Sequence, residues 1–134
     1  MFTDYRDPIF YRAYIHDASK NIYNYGRATE IGGSGNIFTI IHKSDFDLTT
    51  QWIKIYDIMP NKNAVMVTQD EASLYFLQNK PFSFILHRIS TSDGSFQKTY
   101  KGPNMKNGNS SKFFMNPDGT SMYVTCFLNS KGAL

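Results

Sequence analysis

An acidic turn followed by an apolar–tyrosine pair recurs three times in this chain, and a repeated turn-plus-strand unit leaves few folds open. The fullest copy is Asn116-Pro117-Asp118-Gly119-Thr120-Ser121-Met122-Tyr123-Val124-Thr125. Proline presets φ, aspartate caps its own turn and glycine accepts positive φ, so Pro-Asp-Gly is turn chemistry. The alternating β-branched and aromatic residues after it read as a strand. Weaker copies are Gln69-Asp70-Glu71-Ala72-Ser73-Leu74-Tyr75-Phe76 and His16-Asp17-Ala18-Ser19-Lys20-Asn21-Ile22-Tyr23-Asn24.

Composition points the same way. Nine Tyr and eleven Phe, with Ile and Thr, suit a pleated, half-buried surface. A chain of 134 residues allows one domain with a real core. A net charge of +3 without a Lys/Arg run gives no electrostatic footprint for nucleic acid. No stretch approaches the ~20 apolar residues of a membrane span. The first residues, Met1 to Pro8, lack the apolar block of a signal peptide. The single cysteine, Cys126, rules out an internal disulfide and any multi-cysteine metal site. It sits in an apolar run and reads as a buried, inert thiol.

In chain order, Asp4-Tyr5-Arg6-Asp7-Pro8 reads as a strand tail with a proline stop. The pattern returns at Ile55-Tyr56-Asp57-Ile58-Met59-Pro60 and Thr99-Tyr100-Lys101-Gly102-Pro103, with tyrosine steps of 51 and 44 residues. Short apolar runs at Ile9–Ile15, Ala64–Thr68 and Lys112–Met115 predict buried first strands. Second strands are expected over Asn21–Ala28, Ser73–Gln78 and Ser121–Asn129. Third strands are expected over Asn36–Lys43 and Phe82–Ile89. Acidic turns at Ser44-Asp45-Phe46-Asp47 and Ser92-Asp93-Gly94 then lead to fourth strands, Trp52–Tyr56 and Phe96–Tyr100. The Asn- and Gly-rich connector Lys101–Ser111 reads as a flexible surface loop. Nothing in the chain reads as a helix.

Four short strands per unit at this period is the pattern of β-propeller blades. The stretch Pro117-Asp118-Gly119…Tyr123-Val124-Thr125 resembles the signature of YVTN-type propeller repeats, with Cys126 where that signature has asparagine. Gly33-Ser34-Gly35-Asn36-Ile37-Phe38 through Trp52-Ile53-Lys54-Ile55-Tyr56 resembles a bacterial-type propeller repeat. The resemblance implies an all-β fold of antiparallel four-stranded blades, about two and a half of them. It divides residues 1–134 into units at 9–60, 61–103 and a partial 104–134, with 1–8 the tail of a preceding outer strand. It implies a non-enzymatic module and supplies no shared catalytic residues. Such repeats occur in many surface-layer and extracellular proteins, which tilts the expected location that way.

Propellers close with about four to eight blades. Two and a half blades would leave apolar faces and strand edges open. Three explanations stand: a segment of a longer polypeptide, a ring or stack completed by other copies, or a smaller sandwich or barrel.

Individual residues read mostly as structure. His42 and His87 occupy equivalent places at third-strand ends and read as repeat positions rather than metal ligands. His16 reads as a surface residue. Asp17, Asp45, Asp47, Asp70 and Glu71 lack the dense oxygen-ligand run of a calcium loop and read as turn formers. Gly32-Gly33-Ser34-Gly35 opens a strand, not a helix, so a phosphate cradle is not indicated, and Ser34 has no nearby His–Asp pair. Tyr23, Tyr25, Tyr75 and Tyr123 suit either core packing or a stacking surface. Phe46 at a loop tip suits partner contact. No catalytic, cofactor or metal site is expected. The reading is a structural or interaction module that binds protein or glycan partners or copies of itself, through loops such as Gly32–Gly35 and Lys101–Ser111. The alternative is a fragment of a propeller-fold hydrolase or lyase with its site at the central channel.

Overall fold

A computed structural model describes residues 4–32, 35–60, 65–80, 83–103, 108–116 and 121–128. The chain divides into two compact units, Met1–Lys62 and Asn63–Leu134. The protein is all-β: among the described residues every regular element is a strand. No helix there is long and apolar enough to cross a membrane.

The first unit is an antiparallel meander of β1 (Ile9–Ile15), β2 (Ile22–Thr29), β3 (Ile37–Ser44) and β4 (Thr50–Tyr56), in that spatial order. The second unit repeats the order with β5 (Val65–Val67), β6 (Ser73–Lys80), β7 (Ser83–Ser90) and β8 (Phe96–Lys101). It adds a hairpin of β9 (Gly108–Met115) and β10 (Met122–Leu128). Consecutive antiparallel strands joined by short turns explain why neighbours in sequence are neighbours in the sheet.

The hairpins that follow the first strands share one register. Ile15 pairs with Ile22, Val67 with Leu74 and Met115 with Met122. Each turn is closed by the same backbone bond, from the amides of His16, Thr68 and Asn116 to the carbonyls of Asn21, Ser73 and Ser121, at 3.0, 2.9 and 2.9 Å. Side chains support two of the turns. Asp70 Oδ1 accepts from the Ala72 amide at 3.0 Å and from the Thr68 hydroxyl, which holds its carboxyl below the usual range. His16 accepts the Ser19 amide at 3.3 Å. Pro117, Asp118, Gly119 and Thr120 lie outside the described residues.

The outer strands match as well. In the first sheet the register steps from Lys43–Trp52 to Ser44–Thr50, so Gln51 is an extra residue in a bulge. In the second it steps from Arg88–Lys98 to Ile89–Phe96, so Gln97 is the extra one. Both bulged glutamines reach the same register position at the start of the second strand: Gln51 Nε2 donates to Asn21 Oδ1, just before β2, at 2.9 Å, and Gln97 Oε1 accepts from Ser73 Oγ, the first residue of β6, at 2.8 Å. Cross-strand cation–π pairs repeat too, Lys43 Nζ over Tyr23 at 5.5 Å and the Arg88 guanidinium over Tyr75 at 5.8 Å.

Tyr23, Tyr25, Ile41, Leu74, Phe76, Leu77 and Ile89 are fully buried. In the second unit Tyr75, Leu77 and Leu86 form a cluster packed by Met66, Phe84, Tyr100 and Met122, so the β9–β10 hairpin is seated on it through Met122. Three expectations are corrected here. The apolar run Ile9–Ile15 is largely exposed, with Ile9, Phe10 and Ile15 open to solvent, because β1 is an edge strand bonded to β2 alone within its sheet. The expected loop Lys101–Ser111 is part strand: β8 runs to Lys101 and β9 starts at Gly108, because pairing with β10 satisfies the backbone whatever the Asn/Ser composition. His16 is buried, not a surface residue, because its ring folds back onto the Ser19 amide and hydroxyl.

Candidate functional site: a groove on the first sheet

Gly26 decides where the groove forms. It sits mid-strand in β2, where a Cβ would collide with the backbone of Ile9 and Phe10, lying 2.7 Å from Phe10 Cα. The missing side chain lets β1 press in, and the β1–β2 register breaks there, with Phe10 opposite Gly26 and Arg12 opposite Tyr25. The segment before β1 then follows the sheet. The Arg6 amide donates to the Thr29 carbonyl at 2.9 Å, Tyr5 bridges Glu30, and the Tyr5 ring meets Phe38 edge-on at 5.6 Å.

Between this segment and the sheet lies a groove of about 300 Å³. Its floor is Ala28, Ile40, His42 and Ile55, and its walls are Tyr5 to Pro8, Phe10, Thr50 and Ile53. Ala28 and Ile40 are buried, whereas Phe10 and Ile53 are exposed at the mouth. The lining is apolar except for His42, Thr50 and the strap residues Arg6 and Asp7. His42 is fixed by two hydrogen bonds. Asn24 Nδ2 donates to its Nδ1 at 3.3 Å, and its Nε2 donates to Thr50 Oγ1 at 2.9 Å. Burial lowers its pKa, which agrees with a neutral ring that accepts at Nδ1.

The other singled-out residues stay apart from this groove. His87 holds the equivalent place in β7, inside the strand rather than at its end, with Nε2 donating to Gln78 Oε1 at 2.9 Å. Its Nδ1 is buried and has no hydrogen-bond partner among the described residues. Asp45 Oδ1 accepts the Thr49 amide at 2.8 Å, closing its own turn. Tyr23, Tyr25 and Tyr75 are buried, while Tyr123 is 58% exposed and Phe46 70% exposed. Gly32 and Gly35 adopt φ of 85° and 65°, and Gly33 and Ser34 lie outside the described residues. So does the side chain of Cys126. Among the described residues no three His, Cys, Asp or Glu side chains come together as a metal site.

His87 gives the protein an acid limb. Burial lowers its pKa, and the nearby Lys80 adds to the shift. The unfolded chain takes up the proton near the ordinary value of 6.5, and the folded ring resists it. Stability from this site is therefore complete above about pH 6.5 and falls as the pH drops below it, by at most about 1.4 kcal/mol per pH unit for one site. His42 acts in the same direction. Urea unfolding at a series of pH values is expected to show this slope, and His87→Phe to flatten it. An unchanged slope in that variant would place the effect elsewhere.

The groove was missed in the sequence because its parts come from four separate stretches. Gly26 inside a strand pattern was the signal that a backbone passes close by. No family model matches the chain, and no curated protein or solved structure matches it either.

Proposed function

We propose that this chain is a non-enzymatic interaction module of propeller-like blades, which binds protein or glycan partners or copies of itself through the open face of its first sheet. The observation that carries the reading is the apolar groove of about 300 Å³ with Phe10 and Ile53 exposed at its mouth. Contiguous exposed apolar surface on a folded domain marks an interaction site. Three hairpins of one register, and two meanders with the same bulge and the same glutamine contact, support the blade-repeat reading.

Photo-cross-linking tests it. With p-benzoylphenylalanine in place of Phe10 or Ile53, irradiation of cells that make the protein is expected to yield discrete adducts with a polypeptide, a glycan or a second copy. A folded, expressed chain that yields none at either position would count against the reading.

A further inference from the structure

We propose that the groove of the first sheet receives an aromatic ring, carried by a partner's tyrosine-like side chain, that lies against His42. The inference rests on the reading of this groove as the partner-binding surface. The second sheet shows what belongs at this position. His87 and His42 correspond, each one residue before the cation–π residue at the bulge. In the second sheet the space around His87 is filled by the chain's own rings. Phe76, its cross-strand partner, stacks at 5.0 Å and 28°, and Phe96 lies at 5.8 Å.

In the first sheet the residue paired with His42 is Asn24, and the residue in the place of Phe96 is Thr50. Both rings are replaced by small polar side chains that hold the imidazole by hydrogen bonds instead. Phe10 approaches one side of His42 at 6.2 Å, tilted by 36°. Thr50 and His42 both line the groove, so it borders the place that the Phe96 ring holds in the second sheet. Its size is at the small end of ligand pockets, which suits a single ring rather than a large ligand. Ring pairs gain from offset or tilted contact at about 4.5–7 Å, the geometry already seen around both histidines.

The polar groups refine the class. Thr50 Oγ1 accepts from His42 Nε2, and its own hydroxyl proton can pass on to an acceptor at the mouth. A phenol oxygen is such an acceptor, and its ring is the apolar body that Ile40, Ile53 and Ile55 would cover.

The test titrates the full chain with p-cresol, and separately with 4-methylcyclohexanol, which keeps the shape and hydroxyl but not the ring. The readouts are the NMR signals of the His42 ring and the Ile53 methyl groups. Saturable upfield shifts with p-cresol are expected, with affinity about two- to tenfold tighter than for the saturated analogue. Thr50→Phe, built on Phe96, is expected to fill the groove and abolish the shifts. If that variant lacks a folded spectrum, Thr50→Met, which puts a flexible apolar side chain at the same lining position, makes the same test. Equal binding of the two probes would overturn the aromatic preference and leave the interaction reading standing. An absence of shifts with p-cresol, or full binding by a folded filled variant, would overturn the inference, and the cross-linking result would then judge the interaction reading separately.

Discussion

Phe76→Ala is expected to destabilise the protein by about 3–5 kcal/mol, the range for truncating a buried aromatic side chain. Phe76 is fully buried in the middle of β6, with Leu74 and Leu77 fully buried beside it. Its ring also stacks on His87 at 5.0 Å. Truncation removes the transfer energy of the ring and leaves a cavity between paired strands that are bonded along their length, so collapse around it is limited. Urea unfolding followed by circular dichroism measures the loss as a lowered midpoint at unchanged slope. Phe46→Ala is the control: that ring is 70% exposed at a turn, and its removal is expected to change stability by no more than about 0.5 kcal/mol. Similar small losses from both variants would mean that β6 does not centre the packing of its unit.

Gly26→Ala is the second large effect. The added methyl would meet backbone, the Ile9 carbonyl and Phe10 Cα, and backbone has no rotamer to retreat into. Either β1 moves away from β2 or the variant bears the overlap, at a cost of about 1–3 kcal/mol or more. Hydrogen exchange separates this from a general loss of stability. Amides over Ile9–Ile15 are expected to exchange faster, while those of β3 and β4 keep their protection. The groove should open with β1, because Phe10 and the segment before it form its walls, so the p-cresol response should weaken too. Unchanged protection of β1 would show that the close approach at Gly26 is not what seats the strand.

Strand placement was legible because period-two alternation and β-branched residues act locally. The observed β2, β3, β6 and β7 differ from the expected spans by no more than two residues at either end. What failed depends on partners far along the chain. An apolar run says that a strand has been selected for contact, not which neighbour supplies it, so Ile9–Ile15 was read as buried although it is an edge. Polar Gly108 to Ser111 looked like loop because composition carries no record of the β10 backbone that pairs with it. His16 looked exposed because its burial comes from a turn bond to Ser19. The candidate site was the least legible feature. Its distinctive chemistry, Asn24 and Thr50 standing where the other sheet has Phe76 and Phe96, shows only once the two registers are laid side by side.

The paired glutamines have a consequence for engineering. Gln51 and Gln97 each fasten an outer strand to the start of the second strand, skipping over the strand between. A fastener of that kind is a mechanical standard: it fixes where the outer strand must stop along its neighbour and takes little notice of the other residues in it. β4 and β8 are therefore exchangeable parts, and a chimera with either strand written into the other sheet should seat at the same notch.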